Sequence, residues 1–133
     1  MAYSSKARYA AAAVIDLASQ AAARPTTLAA IAKRQNISVS YLEQLFARLR
    51  AAGLLKSVRG PGGGYVLARA SHEITIADIY DAVHDKGDGG TEDAGALKTA
   101  ALWQAVDREV MRFLRGVTVQ DVMSDKIAIV PVS

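Results

Sequence analysis

The chain has 133 residues, 51% hydrophobic and 22% charged, the composition of one globular domain rather than of a disordered chain. No run approaches the ~20 uncharged apolar residues that a membrane-spanning helix needs, so a cytoplasmic protein with no membrane partner is expected. Cysteine is absent, which excludes disulfides, thiolate nucleophiles, cysteine zinc sites and thiolate-held iron–sulfur clusters.

The net charge of +3 conceals a strong asymmetry. Residues 1–70 carry ten Lys and Arg against only Asp16 and Glu43, a net of +8; residues 71–133 carry six against eleven acids, a net of −5. The basic half suits a polyanion, and the acidic half a different task.

At the N-terminus, Lys6 and Arg8 precede Tyr9-Ala-Ala-Ala-Ala-Val-Ile15, a pattern shared by signal peptides and amphipathic helices. Asp16 interrupts the apolar run and the remainder repeats at helical spacing. The segment is therefore read as a helix capped by Ser4 or Ser5 and running to about Ala22, with Val14, Leu17, Ala18 and Ala21 inward. Arg24-Pro25 ends it. Thr26 or Thr27 caps a short second helix carrying Leu28, Ile31 and Ala32 on one side, and Asn36-Ile37-Ser38 reads as a turn.

Ser38 or Ser40 starts a third helix, and Ser40 with Glu43 has capping-box spacing. At 100° per residue Leu42, Leu45, Phe46 and Leu49 fall on one side and Ser40, Tyr41, Glu43, Gln44, Ala47 and Arg48 on the other. Leu54 to Arg59 suits a strand, Gly60-Pro-Gly-Gly-Gly64 a turn, and Tyr65-Val-Leu67 the returning strand.

Thr75 with Asp78 starts a fourth helix bearing Ile76, Ile79, Tyr80 and Val83. Residues 84–96, rich in Gly and acid, read as a mobile loop. A long helix comes next, from about Leu97 to Arg115, with Leu102, Trp103, Val106, Val110, Phe113, Leu114 and Val117 in one stripe. That stripe either packs internally or serves self-association; with so few other elements to cover it, self-association is expected. Thr118 and Asp121 open a last helical turn, and the tail 126–133 has no clear period. The resulting division is a DNA-binding unit over 1–83, a loop over 84–96, and a dimerisation helix with tail over 97–133.

Three short helices with a turn before the third, succeeded by a two-stranded ribbon, are the parts of a winged helix-turn-helix. The fold class expected is thus mainly α with a small β-wing and a long C-terminal helix. The third helix presents Gln, Glu and Ser, types that meet base edges in the major groove. Arg59, at the base of the glycine tip, suits the negative potential of a narrow minor groove. The glycines themselves fit neither a Walker loop, which needs Lys-Ser/Thr after the last Gly where Tyr65-Val66 stand, nor a dinucleotide fingerprint.

Catalysis finds no support, because His72 and His84 are far apart and neither a nucleophile elbow nor a paired-acid spacing is present. His84 with Asp85, Asp88, Glu92 and Asp93 leaves open a carboxylate-rich metal or effector site, the alternative being a solvated acidic loop.

Ser5-Lys-Ala-Arg-Tyr9, Ile37-Ser-Val-Ser-Tyr-Leu-Glu-Gln-Leu-Phe-Ala-Arg-Leu-Arg50 and Ser57-Val-Arg-Gly-Pro-Gly-Gly-Gly-Tyr65 together resemble the IscR-type (IscR/NsrR/CymR) winged-helix regulators. Ala101-Leu-Trp103 and Val117-Thr-Val-Gln-Asp-Val122 resemble that family's dimerisation helix and the segment after it. The resemblance implies a homodimeric bacterial transcription factor on an imperfect palindrome of double-stranded DNA, and repression rather than activation is expected of it. By motif match, Ser40, Tyr41, Glu43 and Gln44 take recognition-helix positions and Arg59 the wing position in the minor groove. Ser5, Lys6 and Tyr9 match positions near the DNA backbone, and Glu43 the residue that discriminates between operator classes. Leu102, Trp103, Val106, Val110, Phe113 and Leu114 fall to the dimer interface. The family's cluster is held by three cysteines in the loop before the long helix. Here that loop has none, and Ala100 precedes Ala101-Leu-Trp103, so no cofactor of that type is expected. Control through an effector at residues 84–96, or through a protein partner, is the alternative.

Overall fold

Small side chains decide how the first segment packs. In a computed structural model, which describes residues 5–20, 24–84 and 98–125, α1 spans Ser5–Ala18. Ala7, Ala10, Ala13, Val14 and Leu17 are buried, and alanine on the inner face lets neighbouring elements approach the α1 backbone closely. The expected inward Ala18 is half-buried, and Ala21 lies outside the described residues. The helix ends before the expected Ala22 because side-chain donors turn back onto its last carbonyls. Ser19 Oγ donates to Ile15 O at 2.7 Å, and Gln20 Nε2 to Asp16 O at 3.0 Å.

Asp16, which interrupts the apolar run, is buried within α1. Its carboxylate accepts Arg34 Nη2 at 2.6 Å, Arg34 Nε at 3.0 Å and Gln35 Nε2 at 2.8 Å, which pins the second helix, α2 (Leu28–Gln35), to α1. Burial pushes its pKa upward, but hydrogen bonds from Arg34, Gln35 and Gln20 and the charge of Arg34 outweigh that push, and the net shift is downward.

Thr27 is the cap of α2, its Oγ1 accepting the Ala30 N–H at 3.2 Å. Thr26 instead pairs with Tyr65. Asn36 closes α2 in the left-handed region, at φ 54°, a conformation its short polar side chain tolerates. The third helix, α3 (Val39–Ala51), is capped by Ser38, which accepts the Tyr41 N–H at 3.2 Å. Ser40 therefore sits inside the first turn, and the expected Ser40–Glu43 capping box does not form. The inner face is as the periodicity predicts, with Leu42, Leu45, Phe46 and Leu49 buried.

Strands β1 (Leu55–Val58) and β2 (Gly64–Leu67) pair antiparallel, from Leu55 opposite Leu67 to Val58 opposite Gly64. Leu54 and Arg59 lie just outside the strand, and Gly63 N–H to Gly60 O at 2.8 Å closes the tip. A 3₁₀ turn over Ser71–Glu73 leads into α4 (Ile76–Val83). The long C-terminal helix, α5, spans Ala100–Arg115 and precedes α6 (Val119–Met123). Both expected starts are full capping boxes, Thr75 with Asp78 and Thr118 with Asp121.

The segments before α4 and α6 then zip together: Ile76 N–H donates to Val117 O and Val119 N–H to Ile74 O, both at 2.8 Å. Ile74 and Val119 are fully buried in the same core as Val14, Ile31, Phe46 and Ile79. The architecture is a mainly helical winged helix-turn-helix with a two-stranded wing and a long C-terminal helix. The expected 84–96 loop beyond His84, the helix start at Leu97 and the 126–133 tail lie outside the described residues. Among the described residues no helix is long and apolar enough to cross a membrane.

Asp16→Asn keeps the shape but removes the charge, and should cost about 1.5–3 kcal/mol at neutral pH, the scale of a hydrogen bond to a charged group. Because the native carboxyl titrates below its unfolded value, that stabilisation is full above the unfolded pKa and is lost as pH falls through the native one. Urea unfolding of the two proteins should show the gap narrowing progressively below about pH 4.

Candidate nucleic-acid interface

The outer face of α3 carries Ser40, Glu43 and Gln44, all exposed. Tyr41 is half-buried, because its ring meets that of Tyr9 edge-on, with centroids 5.9 Å apart and planes at 88°. This contact brings the start of α1 to the start of α3. Ser5, Arg8 and Tyr9 line one shallow polar depression there, and Lys6 is half-buried on the same turn of helix. Seven of the eight expected positions (Ser5, Lys6, Tyr9, Ser40, Tyr41, Glu43 and Gln44) thus fall on α1 and α3, five exposed and Lys6 and Tyr41 half-buried.

Arg59 stands apart, exposed at the end of β1, and among the described residues it makes no hydrogen bond or ion pair with the others. Its element is nevertheless fixed to α3. Phe46 and Tyr65 pack edge-on at 5.0 Å and 82°. The Tyr65 backbone exchanges two hydrogen bonds with Thr26, at 2.8 and 3.0 Å, just ahead of α2. Gly64 makes this approach feasible: at φ 150° it is in a region that favours glycine, and a Cβ there would collide with the Thr26 carbonyl.

Two exposed apolar residues, Val39 beside Ser40 and Val58 beside Arg59, escape a reading based on polar types. Arg48, exposed on α3, also donates through Nη1 to the Val83 carbonyl of α4 at 3.1 Å. No local pattern announces a contact across 35 residues.

No residue of α5 is buried. Val110 and Leu114 pack against the chain's own core, whereas Leu102, Trp103 and Phe113 are 54%, 43% and 47% exposed and Val106 is half-buried. The expected stripe therefore divides, one edge on the core and the other facing outward. Asp107 Oδ1 is buried with no hydrogen-bond partner among the described residues. His84 stacks on Tyr80 with centroids 4.8 Å apart, while Asp85, Asp88, Glu92 and Asp93 lie outside the described residues. Among the described residues no three His, Cys, Asp or Glu come close enough to hold a metal ion.

The family model of the Rrf2 proteins, described as iron-dependent transcriptional regulators, matches residues 3–125. The chain belongs to the Rrf2 family. The HTH-type transcriptional regulator IscR of Escherichia coli is 40% identical over 133 residues, spanning 95% of this chain and 82% of that one. Among solved structures, T. potens IscR superposes with a TM-score of 0.77 at 36% identity, covering 96% of this chain and 91% of that one. CymR, the global cysteine regulator of B. subtilis, gives 0.73 at 38% identity, covering 91% and 95%. This Rrf2 chain is accordingly a DNA-binding transcriptional regulator and not an enzyme. The iron dependence of the family description does not extend to a cysteine-held cluster here, since the chain has no thiolate to ligate one.

Gly64→Ala should lower stability by about 1–3 kcal/mol, combining backbone strain with displacement of Thr26. Gly62→Ala, at φ 74° with open space around its Cβ, should cost only about 1 kcal/mol. Thermal melts of both variants, converted to free energies, check the difference.

Proposed function

We propose that the protein is a homodimeric repressor that binds an imperfect palindrome, laying α3 of each copy in a major groove and Arg59 in the adjacent minor groove. The observation that carries this reading is the Phe46–Tyr65 packing, which holds a helix of base-reading side chains and an arginine-bearing wing in one fixed relation. Gln44 and Ser40 offer both donors and acceptors to base edges. Glu43 accepts from cytosine N4 and repels edges that present only acceptors, which suits a discriminating position. Val39, exposed beside them, suits a thymine methyl. Ser5, Lys6 and Tyr9 position the complex on the sugar–phosphate backbone, with Tyr9 bracing Tyr41. The surplus of basic residues in the first 70 positions supplies affinity through phosphate neutralisation and counterion release.

Dimerisation is supported by α5, a 16-residue helix without a single buried side chain. Leu102, Trp103, Val106 and Phe113 provide its outward edge, and Val110 and Leu114 back it against the core. An isologous pairing of two such helices covers the apolar edge and sets the spacing of two half-sites. The regulator works in the cytoplasm, needs no cluster, and represses by occupying the duplex.

Arg59→Ala should weaken operator binding by about 1–3 kcal/mol, read by fluorescence anisotropy at fixed salt. Undiminished affinity would remove Arg59 from the groove. Phe113→Asp places a charge on the outward edge and should convert the dimer to a folded monomer with weaker operator binding, as sedimentation velocity and circular dichroism would record. A dimer that persists at micromolar concentration would place the interface elsewhere.

A further inference from the structure

Beyond its buried apolar face, α3 is held along two edges. On one edge Tyr41 meets the ring of Tyr9 at the start of α1, and Arg48 donates through Nη1 to the Val83 carbonyl at 3.1 Å. These two residues are seven apart, so they stand two turns from each other, about 10 Å along the axis and within about 20° of one line. Phe46, which packs on Tyr65 of the wing, lies about 140–160° round the helix from both. Gln44 is exposed and projects beside the first edge, three residues after Tyr41 and four before Arg48.

The acceptor makes the Arg48 contact a directional one. Val83 is the last residue of α4 and only 1% exposed, and its carbonyl is among the four that a helix end leaves without an internal partner. A hydrogen bond from a charged donor satisfies it, and losing that bond leaves a buried acceptor unpaired. One donor of an exposed arginine on the DNA-facing helix is thus given to the protein.

We infer that Arg48 is a positioning residue for base readout: anchored on α4, it sets the roll of α3 and hence where Gln44 meets a base edge. The inference rests on the DNA-binding mode proposed for α3. Apolar packing decides which side of α3 faces inward, but it is non-directional. On a helix of this radius a roll of about 10° carries a side-chain tip about 1 Å. That is enough to spoil a base-edge hydrogen bond. Tyr41 steadies the edge near the start of α3, and Arg48 steadies it two turns on.

The probe is a duplex selected from random sequence by the wild-type full chain, with its single-base-pair variants and a scrambled duplex, titrated by anisotropy. At the pairs whose identity ceases to matter in Gln44→Ala, a wrong pair should cost the wild type about tenfold and Arg48→Met about threefold or less. At the pairs sensed through Arg59 the cost should stay, as should binding to the scrambled duplex and the salt slope. Adding Arg48→Met to Gln44→Ala should cost about twofold or less beyond Gln44→Ala alone. Ratios between two duplexes are unaffected by any unfolded fraction, so a destabilised variant still decides the matter. Unchanged costs in Arg48→Met, or a fully additive loss in the double variant, would overturn the assignment. So would a uniform loss on every duplex with a salt slope lower by about one, the mark of a direct phosphate contact. A wild-type chain that selects no sequence overturns the DNA-binding mode itself and the role of Arg48 with it, a failure visible before any substitution is made.

Discussion

The edge-on contact between Phe46 and Tyr65, with Tyr65 in turn hydrogen-bonded through its backbone to Thr26, joins α3, the wing and the entry to α2 at one residue. An aromatic pair of this geometry adds only about 0.5–1.5 kcal/mol beyond its burial. Its importance is geometric. In the proposed complex, α3 and Arg59 can act on one duplex only if the angle between their elements is set before DNA arrives. An isolated hairpin is marginal in water, and this one is seated on the core by Leu55 and Leu67 as well as by Tyr65. The Thr26 bridge gives it a third strand-like partner, and Gly64 is the residue that lets the backbones approach.

On the opposite side of α2 the constraint is electrostatic. Asp16 is charged although buried, because three donor groups face it and Arg34 brings a compensating charge. Replacing such a pair by packed apolar side chains is often neutral in stability, so its value is positional. A hydrophobic contact leaves a short helix free to roll; a carboxylate held by Arg34 and Gln35 does not. With α2 eight residues long and only Ile31 and Ala32 fully buried on it, this polar clamp supplies the orientation that packing cannot.

Local signals make much of this architecture readable in the sequence. The two faces of α3 come from Leu42, Leu45, Phe46 and Leu49 at helical spacing, and Thr75–Asp78 and Thr118–Asp121 mark helix starts by a chemistry confined to four residues. The glycine tip between two apolar runs announces the wing. The features that local signals misplace depend on competition or distance. Ser38 and Ser40 are equivalent as local caps, and Ser38 prevails because Asn36 has already turned the chain into its left-handed conformation. Asp16 looks like an interruption until Arg34, eighteen residues on, is placed beside it. Likewise the division of the α5 stripe depends on where α1 and α4 end, which no period within α5 encodes. Candidate interface residues are legible chiefly through motif resemblance, and Val39 escapes because base readout is most easily recognised in polar side chains.

Without a cysteine-held cluster, regulation in this chain must reach α3 through packing and hydrogen bonds, and two polar contacts lead there. One is Arg48 Nη1 on the Val83 carbonyl, an orphan acceptor at the C-terminal end of α4 that a guanidinium satisfies well. Val83 adjoins His84, which stacks on Tyr80, so a shift of the α4 end carries or breaks the bond to α3. The other is the Asp16–Arg34–Gln35 clamp, one residue from the turn into α3. The two differ in what they join: Arg48 ties α3 to the end of α4, whereas Arg34 ties α2 to α1. Retaining Asp16 and Arg34 in place of a packed apolar pair therefore fixes how α2 lies against α1 on the way into the turn that leads to α3.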